Sequence, residues 1–253
     1  QIVPRGPQEV PRASRHLQAP QIVPRGPQEV PRASRHLQET PNRAWRPSGG
    51  AEPFEHLKLR MLNGTHSALA YLGIVAGYEV VAEAIRDEEI ERFIDDLWRK
   101  EITESLVSPP ITNLNEYARQ LKSRYRNLEI RHLLEQIAMD GSQKLPQRIL
   151  APLFENLSAG KPYKRLLMVV AAWFRYIERR SKYAQPGLHD PLQEELIRAA
   201  RNASDDGALA ENLLQTAPVF GDLPTHRIAD ELVATLGQIG DIYDTTRLEG
   251  VRQ

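Results

Sequence analysis

Three polar side chains stand close together in one apolar stretch and could act on a single small molecule: Lys58, Asn63 and His66. An amine can take a proton from a hydroxyl group, and a carboxamide can donate a hydrogen bond to an oxygen on which charge develops. At about 100° per residue in a helix, Asn63 lies about 140° from Lys58, and His66 about 80° from it. The spacing therefore predicts that the three groups project into one arc.

The same residues also have a purely structural interpretation. A lysine at a helix edge can extend its ammonium group into water, an Asn-Gly pair loosens a turn, and a histidine can fill a hydrogen-bonded niche. Gly64 in the middle of a helix costs roughly 1 kcal/mol, however, and so calls for a packing or functional reason. On the residue pattern alone, both interpretations stay open.

Helical periodicity runs through the chain from Pro53 onward, and it gives these residues their scaffold. Over 54–74, apolar residues recur at spacings of three and four, as in an amphipathic helix. The most apolar stretch falls in 163–183, which we expect at the centre of the fold. No alternating strand pattern competes, so the fold class is mainly α. Helices are predicted over 54–74, 87–106, 113–126, 128–139, 145–158, 163–183, 190–203, 206–216 and 225–239.

Residues 1–50 have a different composition. The 18 residues from Gln1 to Gln18 recur unchanged as Gln21 to Gln38, and the segment holds nine of the 19 prolines. Proline removes amide donors and the few apolar residues cannot offset the cost of ordering, so 1–50 is predicted to be disordered, with one α-helical domain over 51–253. The segment is either a basic proline-rich arm for a partner or a linker outside the fold.

Composition excludes several classes of protein. With no cysteine among 253 residues, disulfides, cysteine-ligated metals and thiol nucleophiles are absent, which favours a reducing, cytoplasmic setting. A net charge of zero argues against a nucleic-acid partner, and no apolar stretch is long enough to cross a membrane. Phosphate-binding, zinc-protease, calcium-loop and nucleophile-elbow motifs are also absent, and the seven histidines lack metal-ligand spacing.

Two blocks of sequence carry a resemblance to a known family. KLRMLNGTHSALAYLG (Lys58 to Gly73) fits a K-x4-N-x2-H signature, and IRHLLEQIAMDGSQKLPQR (Ile130 to Arg148) is similar to a second characteristic block. Both resemble the polyol-specific long-chain dehydrogenases, the family of mannitol 2-dehydrogenase and fructuronate reductase (mannonate oxidoreductase). The resemblance runs from about Pro53 to about Ile242 and implies a multi-helix C-terminal domain of the mannitol dehydrogenase type.

The resemblance also implies roles for particular residues. Lys58 would be the general base toward a secondary alcohol while a hydride leaves for NAD without any metal, and a dry pocket would have to lower the pKa of its amine. Asn63 would donate to the oxyanion, His66 would hold substrate and lysine in register, and Lys144 would contact the substrate. Mannitol enzymes of the family can use an arginine where Gln136 stands, which favours a hexuronate or hexonate over mannitol.

The chain departs from the family at its N-terminal side. Family members hold NAD in a Rossmann-type domain, and the 50 residues of the repeat segment cannot form a parallel sheet. Two hypotheses follow. The chain is either the substrate-binding and catalytic half of an NAD-dependent polyol or hexonate dehydrogenase, completed by a separate Rossmann-type half, or a truncated, non-catalytic helical remnant or interaction module.

Overall fold

The computed structural model describes residues 52–106, 113–182 and 187–250, and these residues are helical with short connections. Within these ranges no β-strand forms, and one isolated antiparallel bridge joins Val80 and Leu133. The mainly α fold class is thereby confirmed. The prediction of disorder for 1–50 lies outside the described residues.

The first part of the fold begins with one long helix in three successive segments, and shorter helices follow it. The helical segments are α1 (Glu52–Leu57), π1 (Lys58–Asn63), α2 (Gly64–Val75), α3 (Val81–Ala84), α4 (Glu88–Leu97), π2 (Trp98–Ile102), a 3₁₀ turn (Thr103–Ser105) and α5 (Leu114–Tyr125). Here π denotes a helix whose amide groups bond to carbonyls five residues earlier.

The second part contains the longest described helices. Its segments are α6 (Leu134–Ala138), α7 (Gly141–Leu145), π3 (Pro146–Leu150), α8 (Ala151–Ser158), α9 (Lys164–Lys182), α10 (Gln193–Arg201), α11 (Asp206–Leu214), α12 (Ala217–Phe220), a 3₁₀ turn (Thr225–Arg227) and α13 (Ala229–Gly250).

Helix α9 lies at the centre, as its apolar sequence predicts. It packs against α2, α10 and α13, and its face of Leu, Val, Trp and Phe side chains is fully buried. At its N-terminus, both carboxylate oxygens of the buried Glu101 accept backbone N–H groups, from Arg165 and Leu166, at 2.9 Å each. This acid satisfies amide donors that a helix start leaves without intrahelical partners.

The helix predicted over 128–139 is wrong in its first half. Helix α5 ends at Tyr125, and an irregular segment with exposed Leu128 and Ile130 follows before the short helix α6 begins at Leu134. The Asn127 side chain accepts the N–H of Glu129 there, a local turn that competes with helix formation. Apolar spacing alone could not reveal this.

Candidate active site

The segment π1 positions the first two candidate residues. Lys58 is its first residue and Asn63 its last, and the N–H of Gly64 donates to the carbonyl of Leu59, five residues earlier. In such a turn, residue i+5 lies close to one turn above residue i. Lys58 and Asn63 are therefore nearer in direction than the 140° that a regular α-helix gives, and the sequence held no sign of this widening.

Three side-chain donors bond to carbonyls at the end of π1, one from the next helical turn and two from distant parts of the chain. Three successive carbonyls accept side-chain donors: that of Met61 from Thr65 (2.5 Å), that of Leu62 from Tyr125 (3.1 Å) and that of Asn63 from Arg148 (3.5 Å). A widened turn disturbs the regular series of backbone hydrogen bonds. The side chains of Thr65, Tyr125 and Arg148 give these carbonyls additional hydrogen-bond donors. The backbone beneath Asn63 is thus fixed from three sides.

Gly64 has a packing reason. A Cβ added there would lie 3.2 Å from the carbonyl oxygen of Arg148, closer than most side-chain contacts. The glycine lets π1 and π3 approach each other at their backbones. The expectation that this mid-helix glycine needs a reason is met by packing.

His66 lies one turn beyond Asn63, half-buried among rings. Its centroid is 5.0 Å from that of Tyr125 and 6.4 Å from that of His132, both edge to face. Burial lowers the pKa of His66 to about 4, and His132, Arg148 and Arg124 contribute in the same direction. The imidazole is therefore neutral near pH 7. It can hold a hydroxyl group by hydrogen bonding but is not a cation there.

Arg148 is a residue of this site that the sequence analysis missed. It lies in π3, and its Nη1 reaches the carbonyl of Asn63 and, at 3.4 Å, the hydroxyl of Ser67. Burial lowers its pKa, an effect that nearby Tyr71 opposes, and it remains charged. The sequence feature that could have pointed to Arg148 is its position as the last residue of the second characteristic block.

Lys58 does not lie in the dry pocket that its expected role requires. Its side chain is exposed, whereas its neighbours Leu57 and Met61 are buried. Only the inner face of the helix packs on the core, and nothing among the described residues covers the outer face. The described residues do not provide the low-dielectric surround that the expected role requires, so that role needs another surface to cover Lys58.

Lys144 and Gln136 lie on the elements next to the site. The Nζ of Lys144 donates to the carbonyl of Met139 at 2.6 Å and lies 3.5 Å from a carboxylate oxygen of Asp140, so it turns back onto the preceding turn. Gln136 is exposed on α6, which packs against α2. The substrate contacts expected of Lys144 and Gln136 therefore stay predictions.

The described residues provide neither a cluster of metal ligands nor a membrane-spanning helix. Across 52–106, 113–182 and 187–250 no group of three or more His, Asp or Glu side chains is placed to hold a metal ion. Over the same part of the chain, no helix combines the length and the apolar character needed to cross a bilayer.

Comparison with known proteins agrees with this geometry. The sequence profile of the mannitol dehydrogenase C-terminal domain matches residues 51–240. The chain is 40% identical over 172 residues to D-mannonate oxidoreductase of Escherichia coli, covering 67% of this chain and 35% of the relative. It is 36% identical over 172 residues to mannitol 2-dehydrogenase of Aspergillus terreus, covering 68% of this chain and 34% of the relative.

A solved structure gives the same result. Mannitol 2-dehydrogenase of Pseudomonas fluorescens, in a ternary complex with NAD and D-mannitol, superposes with a TM-score of 0.67 at 26% identity, over 81% of this chain and 42% of that one. The chain belongs to the mannitol dehydrogenase family of oxidoreductases and contains its C-terminal domain. It spans about a third of the length of these two curated relatives.

Proposed function

We propose that the chain is the alcohol-binding and proton-transferring half of an oxidoreductase that interconverts a secondary alcohol and a ketone of a polyol or hexonate. The observation that supports this proposal is π1, which brings Lys58 and Asn63 into one widened turn whose carbonyls also accept hydrogen bonds from the distant Tyr125 and Arg148. The named relatives act on mannitol or mannonate, which gives the substrate class.

Each residue has a task in this proposal. The Nζ of Lys58 takes the hydroxyl proton, the amide of Asn63 donates to the oxygen as it becomes negative, and neutral His66 holds the substrate hydroxyl in place. Lys144 and Gln136, on adjoining elements, would contact the rest of the sugar chain. Lys144 must first leave its bond to the Met139 carbonyl.

NAD is the hydride acceptor that the family resemblance supplies, and the described residues do not fit it. They contain neither a parallel sheet nor a glycine-rich turn between a strand and a helix, which hold dinucleotides in Rossmann-type domains. The proposal therefore assigns only alcohol recognition and proton transfer to these residues. A separate Rossmann-type half would hold NAD and cover Lys58. The lack of cysteine fits a cytoplasmic setting for the assembled enzyme.

The test is complementation. The chain is mixed with a separately expressed cofactor half from D-mannonate oxidoreductase, and NADH absorbance is followed with mannitol, fructose, mannonate or fructuronate. Turnover with at least one pair is expected, and Lys58→Met should lower it by roughly 10²- to 10⁴-fold.

Lys100→Met is the matched control, because Lys100 is also an exposed lysine in a π-helical segment and bonds only to Asp96 at the surface. It should leave turnover unchanged. Absence of turnover with every substrate, or equal loss in both variants, would contradict the proposal. A non-catalytic interaction module predicts that outcome. If the basic arm serves a partner, deletion of 1–50 would instead change the set of proteins that the chain captures.

A further inference from the structure

Arg148 differs from the other buried or half-buried arginines of the described residues. Each of the others has an acidic side chain within 4 Å: Arg60 pairs with Glu155, Arg165 with Asp96, Arg175 with Asp206 and Arg180 with Glu135. Arg148 has no acidic side chain within that distance among the described residues. Removing a guanidinium group from water without a counter-charge is unfavourable. The fold therefore tolerates one desolvated cation that it does not neutralise.

The hydrogen bonds of Arg148 leave most of its donors available. Its two contacts, with the Asn63 carbonyl and the Ser67 hydroxyl, are both near the long limit at 3.5 and 3.4 Å, and both use Nη1. No nitrogen of Arg148 is among the fully buried side-chain nitrogens that lack a hydrogen-bond partner in the described part of the chain. The Nε and Nη2 groups of Arg148 form no hydrogen bond with the described residues and therefore keep some contact with solvent.

The electrostatic surroundings favour an anion at this point. His132, Arg148 and Arg124 each lower the pKa of His66, as positively charged neighbours do. No acidic side chain is among the groups that act on this pKa. A guanidinium group presents parallel N–H donors that match the two oxygens of a carboxylate. Because Arg148 contacts the backbone of Asn63, an anion bound to it lies within one small molecule's length of the proposed alcohol site.

We infer that Arg148 determines specificity by binding the carboxylate of a sugar-acid substrate whose secondary alcohol lies at Lys58 and Asn63. The inference rests on the proposed function and narrows its substrate class from polyols and hexonates to hexonates. A neutral hexitol would leave the guanidinium without its counter-charge. A charge-assisted pair corresponds to a preference of at least about tenfold for the acid.

The experiment measures binding to the full chain by amide NMR titration with D-mannonate, D-mannitol, inorganic phosphate and NAD as probes. Mannonate should bind at least about tenfold more tightly than mannitol, with the largest shifts around Asn63, Ser67 and Arg148. Arg148→Gln should abolish the preference by weakening mannonate binding much more than mannitol binding, and Arg148→Lys should retain part of the preference. Arg198→Gln, at an exposed arginine of α10, is the matched control and should change nothing.

Several results would overturn the inference. Equal binding of mannonate and mannitol, binding of neither, or unchanged preference in Arg148→Gln would each do so. Phosphate or NAD occupying the same residues more tightly than mannonate would assign the cation to the cofactor instead. If Arg148→Gln loses its native amide spectrum, the wild-type preference and Arg148→Lys decide. Turnover of neutral polyols in the complementation assay together with no acid preference would refute this inference and leave the proposed function intact.

Discussion

The centre of the fold around α9 and the face formed by π1 and π3 are stabilised by different kinds of contact. Around α9, large side chains such as Trp173 and Phe174 are completely enclosed, and Phe220 packs against both with ring centroids 6.4 and 6.1 Å away. At the face of π1 and π3, polar side chains bond to backbone carbonyls, Lys58 is exposed, and Arg148 has no acidic partner among the described residues.

The two kinds of contact indicate that the core around α9 stabilises the fold, whereas the face of π1 and π3 serves binding and catalysis. The enclosed core buries its apolar surface within the described residues, which is the main favourable term in folding. The polar face has a fixed backbone but incomplete surroundings, so its chemistry depends on what covers or binds it. Substitutions in the core should therefore change the free energy of unfolding, and substitutions on the face should change binding and turnover. Four predictions compare the contributions of the core and of the polar face to stability, in order of decreasing effect.

The largest effect is expected from Gly141→Ala. A Cβ at Gly141 would lie 2.5 Å from the hydroxyl of Tyr71 and 2.6 Å from Nε1 of Trp173, both fully buried. Overpacking, together with displacement of the bond from Tyr71 to the Ala138 carbonyl, should lower the free energy of unfolding by about 4 kcal/mol in urea denaturation. Gly187→Ala is the control, because no atom of the described residues lies within 4 Å of its Cβ position. Equal stability of the two variants would contradict the tight packing.

The second effect is that of Glu101→Ala, which removes the acceptors at the start of α9. Two backbone N–H groups would lose their carboxylate partners, and Arg165 would lose a nearby charge at 3.5 Å. A loss of about 3 kcal/mol is expected by the same measurement. Glu104→Ala, at an exposed residue that approaches Lys161 at 3.6 Å, should cost less than about 1 kcal/mol. A small effect of Glu101→Ala would mean that water replaces the carboxylate at this helix start.

The third effect is a pH dependence that comes from His66. The pKa of His66 is about 4 in the folded chain and about 6.5 when unfolded, so the unfolded chain binds more protons between these values. Stability should therefore fall as the pH drops from 6.5 toward 4, by about 2 kcal/mol from this residue once partial exposure is allowed for. His66→Gln should flatten that part of the profile in denaturation at pH 7 and pH 4.5. A variant as acid-sensitive as the wild type would place the dependence elsewhere.

The sequence was informative about features with a local signature. Apolar spacing located most helices, and acceptor side chains at Asp87 and Asn113 cap α4 and α5 at positions close to the predicted starts. The role of α9 at the centre followed from its composition. The family resemblance, from two blocks of sequence, was confirmed by the comparisons. These features depend on residues that are neighbours along the chain.

Features that depend on distant contacts could not be predicted. The π geometry of π1 is stabilised by Tyr125 and Arg148, which lie 63 and 85 residues from the carbonyls they contact. The proximity of His66 and His132, and the missing counter-charge of Arg148, likewise arise only when the helices pack. The exposure of Lys58 was not predicted, because the dry pocket was expected from the role that the family resemblance implies and not from the neighbours of Lys58 along the chain.

The smallest effect on stability, and the sharpest test of the division, is that of Lys58→Met. Because Lys58 is exposed and forms no hydrogen bond or ion pair within the described part of the chain, its replacement should change the free energy of unfolding by less than about 0.5 kcal/mol. Arg60→Met, two residues further on, is the matched contrast: Arg60 is buried, bonds to Glu155 at 2.6 Å and to the Ser105 carbonyl at 2.7 Å, and should cost about 3 kcal/mol or more. The stability of the domain would then depend on Arg60 but not on Lys58, as expected if the partner of Lys58 is a substrate. A loss above about 1 kcal/mol in Lys58→Met would instead make it a structural residue and remove the base from the proposed reaction.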